Sequence, residues 1–171
     1  TKEEATKAFE KGYEHYLKTA SSSKAAAGLT PKAPVGKPIW ESLCVDAACS
    51  GNPGDMEYRG VYPPTMQEIF RIGPLKKGTN NIGEFLALVH GLALLKQKGS
   101  SLPIYSDSRN AIGWVKKKKC KTLLERVPEN EPIFDMIERA EKWLKTNTYT
   151  TPILKWETSE WGEIPADFGR K

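Results

Sequence analysis

Apolar residues recur along the chain with two different periods, and the change of period separates strands from helices. Over residues 81–98 they repeat every three to four positions and Gly99 follows, so this segment is predicted to be a long amphipathic helix. Before it, three strand-like stretches are separated by Gly-Pro and Pro-Pro turns, a pattern that predicts an antiparallel meander. The three stretches are residues 39–49, 58–62 and 66–72.

Shorter elements follow the long helix. The pattern predicts a strand at 102–106, a helix from 107 to about 118, a helix at 133–145, a strand at 152–156 and a final short helix opened by Pro165. In this order the long helix can serve as a crossover between parallel strands. We therefore predict an α/β fold with a five-stranded mixed sheet. It would combine a three-strand antiparallel meander with two parallel strands and carry helices on both faces.

The first 37 residues differ in composition from the rest. Residues 1–18 have the spacing of a short amphipathic helix, and residues 19–37 are rich in Ala, Ser and Pro and should form a linker. The 171 residues are 39% hydrophobic, enough for one core, so we expect one folded domain at 38–171. There is no apolar run of membrane-spanning length and no signal-peptide pattern, and we expect a soluble cytoplasmic protein.

Charge and cysteine content limit the chemistry only slightly. Part of the net charge of +5 is concentrated at residues 116–121, a lysine run that fits either a solvated helix end or a polyanionic partner. The three cysteines lack zinc-site spacing, and neither a disulfide nor a zinc site is predicted. The chain also has no GxSxG elbow and no Walker-type phosphate loop.

One acidic residue stands inside the first predicted strand. Asp46 lies in the segment LCVDAACSGNPG, where its neighbours read as a buried strand that breaks into a Gly-Pro loop. Aspartate is depleted in strands, and an ionised carboxylate on a buried face is costly unless something positive binds it. A bound metal ion is the simplest explanation for this residue.

Three further acids stand near element ends, where each also fits a structural role. Glu84 follows Asn81 at the spacing of a capping box in the long helix. Asp107 ends the fourth strand and is an equally good N-cap for the next helix. Asp167 follows Pro165 at a first-turn position, where an acid favours the helix dipole.

The predicted topology brings the four acids together. The first and fourth strands supply Asp46 and Asp107, and the helices that carry Glu84 and Asp167 can each start beside them. Converging carboxylates repel one another unless divalent cations neutralise them, and hard oxygen ligands suit magnesium or manganese. Two such ions can activate water and stabilise the leaving oxygen of a phosphodiester, so phosphate-ester hydrolysis is the expected chemistry.

Four segments resemble type 1 ribonuclease H in their order and spacing. They are VDAACSGNPG, TNNIGEFLALVHGLALL, YSDSRNAIGWV and GEIPADFGRK, and the resemblance covers residues 38–171. It implies an enzyme that cuts the RNA strand of an RNA–DNA hybrid and leaves 3′-hydroxyl and 5′-phosphate ends. It also implies two Mg²⁺ ions, with Mn²⁺ able to substitute, bound by Asp46, Glu84, Asp107 and Asp167. We expect a monomer with no obligate protein partner.

The resemblance also implies how a hybrid would be bound. Asn52 matches a residue that touches RNA 2′-hydroxyls, and Asn80 and Asn81 match a pair that reaches the minor groove. Further matches are Arg109 at another groove-facing place, and Lys77 with Thr79 in a pocket for a phosphate of the DNA strand. Such contacts read the backbone of each strand without reading bases.

The chain departs from the family pattern at three places. Ala47 and Ala48 replace the usual glycine and small polar residue after the first aspartate, and Glu157 stands where many members have a loop histidine. Glu157 could substitute for that histidine or be a plain loop residue. Between the second and third helices, a lysine run and a short loop replace a longer basic insertion. Residues 1–18 faintly resemble the end of a small hybrid-binding domain.

Two alternatives to the leading hypothesis stay open at this point. The first is a nuclease of the same fold that acts on DNA. The second is a hybrid-binding module without catalysis, which Glu157 and the missing insertion would suit.

Overall fold

Five strands form one mixed sheet in the order β3-β2-β1-β4-β5 of the computed structural model, which describes residues 36–169. The strands are β1 (Leu43–Cys49), β2 (Gly54–Tyr62), β3 (Gln67–Gly78), β4 (Ile104–Ser106) and β5 (Ile153–Lys155). The pairs β1-β2 and β2-β3 are antiparallel, and β1-β4 and β4-β5 are parallel. The predicted fold class is confirmed. The predicted helix at 1–18 and nearly all of the linker lie outside the described residues.

Four α-helices accompany the sheet in the described part of the chain. They are α1 (Asn80–Gln97), α2 (Arg109–Lys117), α3 (Glu131–Thr146) and α4 (Thr158–Trp161), and a 3₁₀ turn (Pro128–Asn130) precedes α3. No helix among residues 36–169 has the length and apolar character needed to cross a membrane. The long helix, the predicted crossover, starts directly after β3 and packs on β1 and β2.

The structure corrects several predicted boundaries: β1 begins at Leu43 and not at residue 39, and β2 begins at Gly54 and not at residue 58. β3 continues to Gly78, past its predicted end at residue 72, because Leu75 and Gly78 still pair with β2. The predicted helix at Pro165 is wrong: Pro165 and Ala166 form a turn, closed by the Asp167 amide donating to the Ile164 carbonyl at 2.9 Å. The last described helix is instead α4, earlier in the chain.

The two faces of β1 enter different cores. Leu43, Val45 and Ala47 belong to the larger cluster, into which α1 packs. Cys44 lies on the other face in a smaller cluster, which includes Val61 and Tyr105 as well as the C-terminal residues Ile164 and Ala166. Because side chains alternate along a strand, Asp46 projects from the same face as Cys44. The acid therefore lies on the side of the sheet that the C-terminal segment covers.

A glycine permits the close approach of α1 to β1. A Cβ atom added at Gly83 would lie 2.7 Å from the Ala47 Cβ and 3.2 Å from the Met56 Cγ. These distances are shorter than carbon–carbon van der Waals contact, so only glycine fits without a shift of helix or strand. The neighbouring residue in the helix is Glu84, and the approach at Gly83 brings its carboxylate to the strand.

Gly83→Ala should therefore destabilise the protein. Overpacking of a filled core costs about 1–3 kcal/mol, and the better helix propensity of alanine recovers at most about 1 kcal/mol. Gly113→Ala is the matched control, because Gly113 is also helical and a Cβ there meets nothing within 4 Å. Urea unfolding should show a loss for Gly83→Ala and no loss for Gly113→Ala. Equal stability of the two variants would contradict the close packing described here.

Candidate active site

Three acids meet beside the central strands: Asp46 within β1, Glu84 in α1 and Asp107 directly after β4. Asp46, Glu84 and Asp107 each offer one carboxylate oxygen, and these three oxygens lie within 4.8 Å of one another. Asp46 is 0% and Glu84 1% exposed, and Asp107 is half-buried. The donor set consists of carboxylate oxygens alone, which suits a hard divalent cation. The cluster is therefore a candidate metal centre.

Glu84 contacts β1 and does not cap its own helix. The Ala47 amide donates to Glu84 Oε1 at 3.1 Å. The N-cap of α1 is Thr79, whose hydroxyl oxygen accepts from the Ile82 amide at 3.3 Å. The capping-box interpretation of Asn81 and Glu84 is thus wrong. Because Ala47 is next to Asp46 in β1, this hydrogen bond orients the Glu84 carboxylate toward Asp46.

Asp107 is likewise not the cap of the helix that follows it. Ser108 is the N-cap of α2, and its hydroxyl oxygen accepts from the Ala111 amide at 3.1 Å. The Ser106 hydroxyl oxygen accepts from the Ser108 amide, also at 3.1 Å. The helix is therefore capped by Ser108, and the Asp107 carboxylate is one of the three in the acidic cluster.

Asp167 lies outside the three-acid cluster, in the turn that ends the described chain. Its Oδ2 accepts from the Gly169 amide at 2.9 Å, and its Oδ1 is buried. The Arg59 guanidinium donates to the main-chain carbonyl of Asp167 at 2.6 Å. In the register of the β1–β2 pair, Arg59 lies directly opposite Asp46. The turn that Arg59 holds is therefore next to the sheet face that carries Asp46.

Most of the predicted substrate-binding residues line one cleft. Asn52, Thr79, Asn80 and Asn81 border a cavity of about 440 Å³, together with Cys49 and Gly51. The cleft joins the loop after β1 to the start of α1, and these are the strand and the helix that carry Asp46 and Glu84. The cleft is thus lined by polar amides and a hydroxyl, and none of the three cluster acids borders it. Arg109, the first residue of α2, is exposed and is not among the residues that border this cleft.

A buried asparagine supports the segment that carries Lys77. Lys77 is exposed and has a left-handed backbone (φ 59°). Its carbonyl accepts from Asn130 Nδ2 at 3.2 Å, and the same amide group donates to the Glu125 carbonyl. Asn130 Oδ1 accepts from the Val127 amide at 2.8 Å. Sequence reasoning missed Asn130, whose only local signal was its place just before a helix.

Glu157 immediately precedes α4 and is half-buried. Its main-chain carbonyl accepts from the amides of Glu160 and Trp161. It is not among the three acids of the cluster. The contacts described here therefore concern its backbone, and the two interpretations of its side chain stay open.

Burial keeps two of the thiols neutral. It raises the pKa of the Cys44 thiol to about 12. It does the same for Cys120, whose pKa the nearby Glu141 carboxylate raises further, again to about 12. A thiol with such a pKa is protonated near neutral pH and is a poor nucleophile. Neither residue is therefore a candidate for covalent catalysis.

Comparison with known proteins identifies the family. The RNase H family model matches residues 41–155, about two thirds of the chain. The chain belongs to the RNase H family. The resemblance noted from the sequence motifs is thereby confirmed. Asp46, Glu84 and Asp107 fall inside the matched residues, whereas Glu157 and Asp167 lie beyond them.

Individual relatives differ in how much of the RNase H chain they share. A Ribonuclease H of Rhodopirellula baltica is 41% identical over 75 residues, which cover 43% of this chain and 46% of that relative. A Ribonuclease H of Rickettsia bellii is 31% identical over 137 residues, which cover 73% of this chain and 83% of the relative. The chain thus spans about half the length of the first relative.

A solved structure with likeness to this chain is the RNase H1 of the halophilic archaeon Halobacterium salinarum NRC-1. The two are 19% identical, and the alignment covers 67% of this chain and 82% of that chain, with a TM-score of 0.40.

Asn130→Ala should destabilise this RNase H chain and loosen the Lys77 segment. The change removes three hydrogen bonds that the buried Asn130 side chain makes to the main chain, at a cost of about 1–3 kcal/mol. Asn110→Ala removes an exposed asparagine from α2 and is the control. Denaturant unfolding should separate the two variants by at least about 1 kcal/mol. Indistinguishable midpoints would mean that the Asn130 bonds contribute no net stability.

Proposed function

We propose that the chain hydrolyses the RNA strand of RNA–DNA hybrids and leaves 5′-phosphate and 3′-hydroxyl ends. The observation that carries the proposal is the convergence of Asp46, Glu84 and Asp107 inside the segment that matches the RNase H family. Three carboxylates from separate elements, two of them buried, are costly to bring together without a cation. The family membership supports a nuclease, and the acidic cluster supports its dependence on metal.

Magnesium, with manganese as a substitute, fits the donor set. Asp46 and Glu84 would hold both of two ions, and Asp107 and Asp167 would each complete one side. When bound, such a pair of ions supplies activation of water for in-line attack on the RNA phosphate and stabilisation of the leaving oxygen. Asp167 is not one of the three clustered acids, but its Oδ1 is buried without a hydrogen-bond partner among residues 36–169, which supports a role as a fourth ligand.

The residues of the chain have separate tasks in this proposal. The Ala47 amide orients the Glu84 carboxylate. Asp46 and Glu84 are both buried, so their carboxylates are shielded from bulk water. Asn52, Asn80 and Asn81 would contact the hybrid from the cleft, where amide groups can donate to and accept from RNA 2′-hydroxyls. The enzyme would read the neighbouring 2′-hydroxyl without using it as a nucleophile.

The other strand would be held through its phosphates. Thr79 borders the cleft, and Lys77 is an exposed cation that comes shortly before it in the chain. Arg109 would face a groove of the hybrid from the start of α2. Because phosphate contacts carry no sequence information, the enzyme should cut hybrids of many sequences.

Asp46→Asn should abolish cleavage while the fold and hybrid binding persist. The variant has nearly the same shape but loses the charge that binds the cation, and we expect activity to fall by more than about 100-fold, beyond the usual cost of losing a supporting residue. Asp135→Asn, an exposed aspartate on α3, is the control. The assay follows a hybrid with separately labelled strands in magnesium, manganese or chelator.

The same assay separates the alternatives. Metal-dependent loss of the RNA strand alone supports the proposal, and full activity of Asp46→Asn would contradict it. Duplex DNA and duplex RNA are run beside the hybrid. Cleavage of duplex DNA would keep the fold and change the substrate, and binding without cleavage of either strand would favour a hybrid-binding module.

Lys77→Ala should weaken hybrid binding by removing a phosphate contact. Each neutralised phosphate releases counterions, so the plot of log affinity against log salt concentration should become shallower by about 1. Lys142→Ala, an exposed lysine on α3, should leave the slope unchanged. Fluorescence anisotropy with a labelled hybrid, in chelator and at several salt concentrations, measures both. An unchanged slope for Lys77→Ala would remove Lys77 from the phosphate site.

A further inference from the structure

Arg59 occupies a special register position in the sheet. It lies on β2 directly opposite Asp46 on β1, and Arg71 on β3 lies directly opposite Arg59. Residues that oppose each other across antiparallel strands project from the same face. A row of one acid and two arginines therefore crosses the face on which the C-terminal segment packs.

The Arg59 guanidinium uses all three of its nitrogens. Nε donates to the Ala166 carbonyl at 2.8 Å, and Nη2 donates to the Asp167 carbonyl at 2.6 Å. Nη1 donates to Glu68 Oε2 at 3.2 Å, and the Cζ atom lies 4.9 Å from the centre of the Phe168 ring. The side chain is only 22% exposed. Two adjacent carbonyls and the next side chain are thus all held by one residue.

The orientation of the turn that carries Asp167 depends on the hydrogen bonds from Arg59. Its internal hydrogen bonds join Asp167 to Ile164 and to Gly169, so they shape the turn without attaching it to the sheet. Packing of Ile164 and Ala166 in the smaller core brings the segment to the sheet. Apolar packing is not directional, whereas two hydrogen bonds to neighbouring carbonyls fix both position and orientation.

The charges around this contact balance. Arg59 pairs with Glu68, and Arg71 pairs with Glu57 at 2.6 Å and with Glu68 at 3.5 Å. Arg71 also lies near Phe168, with its Cζ atom 5.1 Å from the ring centre. Two cations and two carboxylates sum to zero charge. Arg59 can therefore hold the turn without adding net positive charge beside the acidic cluster.

We propose that Arg59 is a positioning residue that fixes Asp167 beside the three-acid cluster by holding the main chain of residues 166 and 167. This inference rests on the proposed function, in which Asp167 completes the metal site. Loss of Arg59 removes the two hydrogen bonds to the main chain of the turn. The apolar packing and the Arg71–Phe168 contact that remain do not fix the backbone direction, so the Asp167 carboxylate samples more positions. Residues that orient a metal ligand typically change metal affinity by about 10- to 100-fold when they are replaced.

The experiment compares Arg59→Gln and Arg59→Lys with the unmodified protein. Mg²⁺ binding is measured by calorimetry without hybrid, and hydrogen exchange is followed at the amides of Asp167 and Gly169. We expect Arg59→Gln to weaken Mg²⁺ binding by about 10-fold or more and to speed exchange at both amides. Arg59→Lys keeps the charge but not the two-pronged donation, and it should show a smaller loss of the same kind.

Arg71→Gln is the matched control. This variant removes a guanidinium that lies in the same row as Arg59 and also contacts the Phe168 ring. Arg71, however, bonds to Glu57 and Glu68 and not to the main chain of the turn. Mg²⁺ affinity should stay within about 2-fold of that of the unmodified protein, well short of the loss expected for a positioning residue. An equal loss in Arg71→Gln would assign the effect to charge or ring contact and overturn the proposed role of the Arg59 bonds.

A measurement on the unmodified protein needs no substitution. Mg²⁺ should slow exchange of the Asp167 and Gly169 amides if the turn belongs to the metal site, and unchanged exchange overturns the inference. If the unmodified protein binds Mg²⁺ and cuts the hybrid while Arg59→Gln binds Mg²⁺ equally well, the inference alone fails. If the unmodified protein neither binds Mg²⁺ nor cuts hybrid, the proposed function fails and the inference fails with it.

Discussion

The hydrogen bond from the Ala47 amide to the Glu84 carboxylate joins the central strand to the start of the long helix. It forms only because the helix approaches the strand closely at Gly83, where a larger residue would meet Ala47. The bond turns the Glu84 carboxylate, from the fifth residue of α1, toward the aspartate of β1. The arrangement of the acidic cluster thus depends on a packing distance between two backbones.

The alternation of side chains along β1 gives the cluster its setting. Leu43, Val45 and Ala47 fill the large core under α1, which anchors the strand. Asp46 projects from the opposite face, at 0% exposure. A buried carboxylate is unfavourable by itself, so the stability of the large core must offset the cost of holding it there. A cation that binds the cluster would reduce that cost.

Two polar side chains attach irregular segments of the chain to this framework. Arg59 donates to the carbonyls of Ala166 and Asp167 in the C-terminal turn, and Asn130 donates to the carbonyl of Lys77. In both cases one side chain serves a segment that carries a residue expected to contact metal or substrate. The acceptors are main-chain carbonyls, which every residue has. The backbone of each segment is therefore held in place whatever side chains the segment carries.

The sequence by itself determined the sheet, the long helix and the family, because periodicity is a property of each element alone and four motifs occur in order. It also singled out Asp46, since an aspartate within a buried strand has no local explanation. Local patterns could not decide between capping and site roles for Glu84 and Asp107, because Thr79 and Ser108 offer caps of equal quality nearby. Only the tertiary structure showed that Thr79 and Ser108 are the caps and that both acids lie close to Asp46. Only it revealed Arg59, whose partners Ala166 and Asp167 lie more than a hundred residues further along the chain. Contacts over such separations depend on how the elements pack, and no local pattern encodes them.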